Sequence, residues 1–174
     1  MRSFVSIDLD DPQILDKLES IRTELGKQAG VRLVRPENLH ITLKFLGETQ
    51  DIESLKTAVD GLSGFGKFEL KLTGLGVFPS KNQARIIWLG TDSAELGKLK
   101  NQLDRLLPDK FSAKKNFVGH ATIARFRNAW PGAASFLESH QSGFGKTQIS
   151  YVCLKESILT STGPVYRTIM EVEL

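Results

Sequence analysis

Asn38-Leu39-His40-Ile41-Thr42-Leu43-Lys44-Phe45-Leu46 is the stretch that decides the fold, because Phe117-Val118-Gly119-His120-Ala121-Thr122-Ile123-Ala124 repeats its polar pair further along the chain. The two histidines stand 120 − 40 = 80 positions apart, and each is followed two residues later by a threonine. Both stretches read as strands. Side chains alternate across a strand, so His and Thr at i and i+2 share one face, while Ile41, Leu43 and Phe45, or Ala121 and Ile123, occupy the other. The apolar face is the core face, which leaves His40, Thr42, His120 and Thr122 turned outward.

The same interval organises the rest of the chain. Phe4-Val5-Ser6-Ile7-Asp8-Leu9 reads as a strand, and Ile14, Leu15, Leu18, Ile21 and Leu25 form the apolar stripe of a helix over residues 12–25. About 80 positions later Arg85-Ile86-Ile87-Trp88-Leu89 repeats the strand, and Leu96, Leu99, Leu103, Leu106 and Leu107 repeat the stripe until Pro108 halts it. A short helix follows each His-containing strand, near 52–62 and 130–140. Further strands are expected at 68–72, 148–154 and 166–172. The chain therefore reads as two copies of one βαβαβ-like unit in a single bilobal domain over 1–174, with halves near 1–80 and 81–174. The fold class is α+β: two pseudo-symmetric lobes with short, largely antiparallel sheets lining a central groove, and helices on the outside. The groove is the expected site.

Composition excludes several classes. The 174 residues are 40% hydrophobic and 25% charged, and 23 Lys plus Arg against 20 Asp plus Glu leaves only +3, too little by itself to indicate a nucleic-acid partner. One cysteine, Cys153, rules out an intramolecular disulfide and any Cys-pair zinc site, and reads as a small buried hydrophobe in a strand. No apolar run approaches the ~18 residues of a membrane span, and Asp8, Asp10 and Asp11 interrupt the stretch a signal peptide would need. A cytoplasmic monomer without membrane attachment is expected.

Two histidines and two hydroxyls on one groove suit general acid and base catalysis at a phosphate ester, because imidazole titrates near neutrality and serves in either role. A neutral ring takes the proton of an attacking water, and a charged ring gives one to the departing oxygen. Thr42 and Thr122 would donate to the nonbridging phosphate oxygens, where charge accumulates. No metal or other cofactor is expected, since Lys44 and Ala124, not carboxylates, hold the next positions along the two motif strands. His140 lacks a following threonine and reads as a solvated helix end.

The segment from Leu33-Val34-Arg35-Pro36-Glu37-Asn38 through His40-Ile41-Thr42 to Gly47-Glu48 resembles the first signature of the RNA 2′,3′-cyclic phosphodiesterases, also called 2′-5′ RNA ligases, of the two-histidine phosphoesterase superfamily. His120-Ala121-Thr122-Ile123-Ala124-Arg125 resembles the second, and the likeness extends over essentially the whole chain. The resemblance implies opening of a terminal 2′,3′-cyclic phosphate of RNA to a 2′-phosphate, with joining or cleavage of 2′-5′ linkages as an associated activity. It further implies His40 as acid to the leaving 3′ oxygen, His120 as base to water, and Arg125 as a phosphate contact. Strict alternation from His120 would turn Arg125 away from the groove, so the strand must end, twist or bulge near Ala124, or the arginine must reach round. The family pattern has Pro where Gly119 stands here, which loosens that end of the strand.

Arg32, Arg35, Lys44, Arg85, Lys114 and Lys115 are candidate RNA-backbone contacts, joined by Lys110 in the basic loop before the second motif. Phe45, Trp88 and Phe126 all fall at core positions, so no stacking residue is named. Two alternatives stay open: a phosphodiesterase for small cyclic nucleotides or 2′-5′ oligonucleotides, and a noncatalytic module that binds RNA ends.

Overall fold

The computed structural model describes all residues except 112–115, 142 and 162. In chain order its elements are β1 (Arg2–Asp8), α1 (Pro12–Gly26), β2 (Val31–Leu33), β3 (His40–Glu48), α2 (Ile52–Asp60), β4 (Phe68–Phe78), β5 (Ile86–Asp92), α3 (Ala94–Leu106), β6 (His120–Phe126), α4 (Ala133–Ser139), β7 (Gly145–Ile149), β8 (Tyr151–Thr160) and β9 (Gly163–Glu173). α1, α2 and α3 start where short polar side chains take up their free N–H groups. Asp11 accepts from Gln13 N ahead of Pro12, Asp51 accepts from Ser54 N, and Ser93 accepts from Leu96 N.

Every strand pairing is antiparallel, and the strands form one sheet in the order β7-β4-β5-β6-β3-β1-β8-β9, with β2 added to β6. The repeat is legible in that order. β3 and β6 meet at the centre, flanked by β1 and β5, and then by β8 and β4. Each copy lends a strand to the other: β4 follows α2 in the first copy yet pairs with β5, and β8 comes late in the second yet pairs with β1. The sheet curls, and the helices cover its apolar face through one continuous core that includes Ile41, Leu43, Leu70, Leu89, Ile123 and Leu154. Residues 148–154, read as a single strand, are two: β7 ends at Ile149 and β8 begins at Tyr151, so the chain leaves one end of the sheet for the other across Ser150.

The strict alternation read along the two motif strands fails at one matched place. In the β1/β3 ladder Val5 faces Lys44 and Ser6 faces Thr42, so Leu43 is an extra residue. In the β5/β6 ladder Ile87 faces Ala124 and Trp88 faces Thr122, so Ile123 is the extra one. A bulge inserts two residues against one and resets the phase of everything beyond it. Leu43 and Lys44 are therefore both buried, as are Ile123 and Ala124. Phe45 and Arg125 return to the face of the histidines. Phe45, assigned above to the core, is instead 71% exposed.

Candidate active site

β3 and β6 touch through a single pair, Ile41 with Ala121, on the axis of the repeat. Extending that antiparallel register by one residue either way sets His40 opposite Thr122 and Thr42 opposite His120. The pair at the repeat axis thus brings the two His-x-Thr segments side by side, each histidine towards the threonine of the other strand.

Each imidazole is fixed in the same manner. His40 Nδ1 lies 2.7 Å from the carbonyl oxygen of Asn38, and His120 Nδ1 lies 2.7 Å from that of Val118. A carbonyl can only accept, so Nδ1 carries the hydrogen in both rings, and Nε2 is left as the atom that exchanges protons. Aromatic rings hold the imidazoles from the sides. Phe4 and Tyr166 flank His40 at 5.1 and 5.2 Å between centroids, Tyr166 edge-on, while Phe78 and Trp88 flank His120 at 5.0 and 5.9 Å. The Thr42 and Thr122 side chains are half-buried and make no hydrogen bond among the described residues, which leaves both hydroxyls available to a ligand.

The twin halves differ in their electrostatics. Asp8, directly opposite His40 across the β1/β3 ladder, accepts from Lys155 Nζ at 2.5 Å. Its register counterpart opposite His120 is Gly90. Burial holds the His40 pKa below the ordinary imidazole value against the raising effects of the Asn38 hydrogen bond and of Asp8, while Lys155 and Arg125 push it lower still. The charge of Arg125 is felt at both His40 and Tyr166, and the bulge at Ile123 is what turns this residue to the face of the histidines. Cys153 is buried in β8 and its thiol is pushed up to about 12, chiefly by burial and then by Asp8.

Gly119 has a packing reason. A Cβ there would fall 2.3 Å from Thr91 Oγ1 and 2.6 Å from a Leu96 methyl, and its carbonyl accepts from Thr91 N at 3.1 Å and Thr91 Oγ1 at 3.0 Å. The strand leading to His120 is therefore anchored rather than loosened.

Among the candidate backbone contacts, Arg32, Arg35 and Arg85 are exposed, Arg35 with Glu37 as a 4.0 Å partner. Lys44 is a correction. The bulge turns it to the helix side, where it is 8% exposed and donates to Asp104 at 2.9 Å, a carboxylate shared with Lys100, so it does not face the groove. Lys110 is exposed beside Asp51, and Lys114 and Lys115 lie outside the described residues. His140 is also corrected: it caps α4, but its ring stacks on Phe136 at 4.2 Å and its Nε2 lies 3.2 Å from Glu24, so it is not merely solvated. Sequence reading missed Asp8, Lys155, Phe4, Tyr166 and Phe78, because each reaches the histidines through strand pairing that no local pattern announces. Among the described residues no cluster of three His, Cys, Asp or Glu side chains could hold a metal, and no helix is long and apolar enough to cross a membrane.

A curled sheet whose two central strands each offer a His-x-Thr to one groove defines a two-histidine phosphoesterase. The family described as LigT like Phosphoesterase matches residues 7–88. A protein of Archaeoglobus fulgidus named RNA 2′,3′-cyclic phosphodiesterase is 38% identical over 172 residues, covering 96% of this chain and 97% of that protein. One of the same name from Methanothermobacter thermautotrophicus is 35% identical, covering 99% and 97%. The crystal structure of TT0787 from Thermus thermophilus superposes with a TM-score of 0.87 at 25% identity, covering 100% of this chain and 98% of the other. The chain belongs to the LigT-like phosphoesterase family.

Proposed function

We propose that this protein opens the 2′,3′-cyclic phosphate at an RNA 3′ end to a 2′-phosphate. The observation that carries the reading is the meeting of the two His-x-Thr strands at the Ile41–Ala121 pair, with both Nδ1 atoms committed to backbone carbonyls and both Nε2 atoms left to react. The names of the relatives support the substrate. His120 Nε2 takes a proton from water as its oxygen bonds to phosphorus; the P–O3′ bond breaks, and His40 Nε2–H protonates the departing O3′. The Thr42 and Thr122 hydroxyls and Arg125 hold the nonbridging oxygens, strengthening as charge builds on them. In the unliganded protein burial favours the neutral form of His40. The acid role therefore requires the bound phosphate anion to draw a proton onto that ring, as an adjacent negative charge does.

Phe45, exposed on the groove face and 6.3 Å from Phe4, offers a flat surface on which the terminal base can stack. Both histidines come from one chain, so a monomer is sufficient for the site, and the lone reduced Cys153 suits the cytoplasm. Joining of 2′-5′ linkages would use the same groups with a 5′ hydroxyl in place of water: O5′ gives up its proton and bonds to phosphorus as the P–O3′ bond breaks and O3′ is protonated, and cleavage is the reverse.

The test is turnover of a cyclic-phosphate-ended oligonucleotide with the position of the product phosphate determined, for wild type and for His40→Ala and His120→Ala. Each single replacement removes on the order of 10²–10⁴-fold, the usual worth of a positioned acid or base. The double replacement costs far less than the product of the two, since the groups act as a unit. Near-wild-type turnover by either folded single variant would defeat the two-histidine mechanism, and tight binding without turnover by the wild type would identify a noncatalytic end-binding module.

A further inference from the structure

Arg32 and Arg125 face each other directly in the short β2/β6 ladder. Residues opposed in an antiparallel pair project from the same face of the sheet, and like charges so placed repel. Both side chains are exposed, and among the described residues neither has a carboxylate within ion-pair distance. An arginine pair left without a counter-charge, on the face of the catalytic histidines, is arranged for an anion from outside the protein.

Its location says which anion. One edge of β6 meets β3 at Ala121 and then meets β2 at Ala124, Arg125 and Phe126, so β2 continues along the line of β3. From the Ala121 pair to the Arg125 pair is four residues of strand, about 13 Å, a span that two long guanidinium side chains can share. Arg125 stands on the face of the histidines beyond the bulge at Ile123, and its charge is felt at His40 and Tyr166. Arg32 lies farther out, with its Nη1 against Gly163 at the turn between β8 and β9: a Cβ at that glycine would stand 3.5 Å away. Gly163, at the start of β9, thus stands beside Arg32. On an RNA 3′ end the anion next to the cyclic phosphate is the 5′ phosphate of the same terminal nucleoside.

We propose that Arg32 forms a second phosphate subsite, which holds the 5′ phosphate or phosphodiester of the terminal nucleotide while Arg125 holds the phosphate that reacts. The inference rests on the phosphodiesterase reading above and refines it: the preferred substrate is a nucleotide that carries a 5′ phosphoryl group, as every internal RNA residue does, and a bare cyclic nucleoside is a poor one.

The experiment compares kcat/KM for a nucleoside 2′,3′-cyclic phosphate with a free 5′ hydroxyl, the same compound with a 5′ phosphate, and a dinucleotide ending in the cyclic phosphate, each with wild type, Arg32→Lys and Arg32→Gln. The wild type favours the second and third compounds over the first by roughly 10- to 100-fold, the range of a charge-assisted hydrogen bond. Arg32→Gln abolishes that preference, losing far more on the two compounds with a 5′ phosphoryl group than on the bare cyclic nucleoside, and an unchanged urea unfolding midpoint reports that it is folded. Arg32→Lys keeps part of the preference, because it retains the charge but not the planar fork. Equal rates on all three compounds with wild type, a preference that survives Arg32→Gln, or an equal loss on all three compounds would each overturn the subsite. Failure of the wild type to hydrolyse any of them would instead overturn the phosphodiesterase reading on which the subsite rests.

Discussion

Asp8 and Lys155 form an ion pair beside only one of two otherwise matched histidines, and removing its members one at a time must move His40 in opposite directions. Asp8 stands opposite His40 across the ladder, and its carboxylate raises the affinity of that ring for a proton while Lys155 lowers it. Directly opposed side chains begin about 5 Å apart at Cβ. With charges about 8 Å apart and an effective dielectric of about 20–40, one unit charge contributes roughly 1–2 kcal/mol to the protonation of the ring. Since about 1.4 kcal/mol is tenfold in an equilibrium, Asp8→Asn lowers the midpoint of His40 by on the order of one pH unit, and Lys155→Met raises it by a similar amount. The assay is heteronuclear NMR of the imidazole nitrogens across pH 4 to 9, with His120 as internal control, since the position opposite it is Gly90. Midpoints of His40 that move in the same direction in both variants, or that do not move while His120 does, would refute the placement of this pair as the source of the asymmetry.

Burial depresses the His40 pKa in the folded protein, so below about pH 6.5 the unfolded chain binds more protons there and stability declines as the pH falls through the folded value; denaturant titration of wild type against His40→Asn from pH 5 to 8 checks this, the variant showing the flatter profile. Thr42→Ala or Thr122→Ala lowers kcat by about 10- to 100-fold, less than either histidine, because each removes one hydrogen bond to a charged group. Gly119→Ala drives a methyl into Thr91 and Leu96 and costs about 1–3 kcal/mol of stability by urea unfolding, with a fall in activity through the displaced His120 strand. Phe45→Ala, on an exposed ring, leaves stability within about 0.5 kcal/mol of wild type and raises KM for a cyclic-phosphate-ended oligonucleotide; an unchanged KM would place the base elsewhere.

The repeat at 80 residues, the outward face shared by His and Thr, and the α+β class were all present in the sequence, because alternation and helical spacing are local properties that chain order displays. The bulge was anticipated at Arg125 only as one of several ways to bring that residue to the groove. Its twin at Leu43 went unread, since a bulge is defined by two strands and not by one, and with it went the exposure of Phe45 and the burial of Lys44 beside Asp104. Nothing in either copy shows that β4 and β8 are exchanged between lobes; which strand completes which sheet is settled by pairing over long separations. The catalytic residue types are thus legible along the chain, whereas what makes the two histidines unequal, Asp8 from β1, Lys155 from β8 and Tyr166 from β9, is brought together only by the folded sheet. Desolvation and Coulomb interactions depend on distance in space, and distance along the sequence carries almost no information about them.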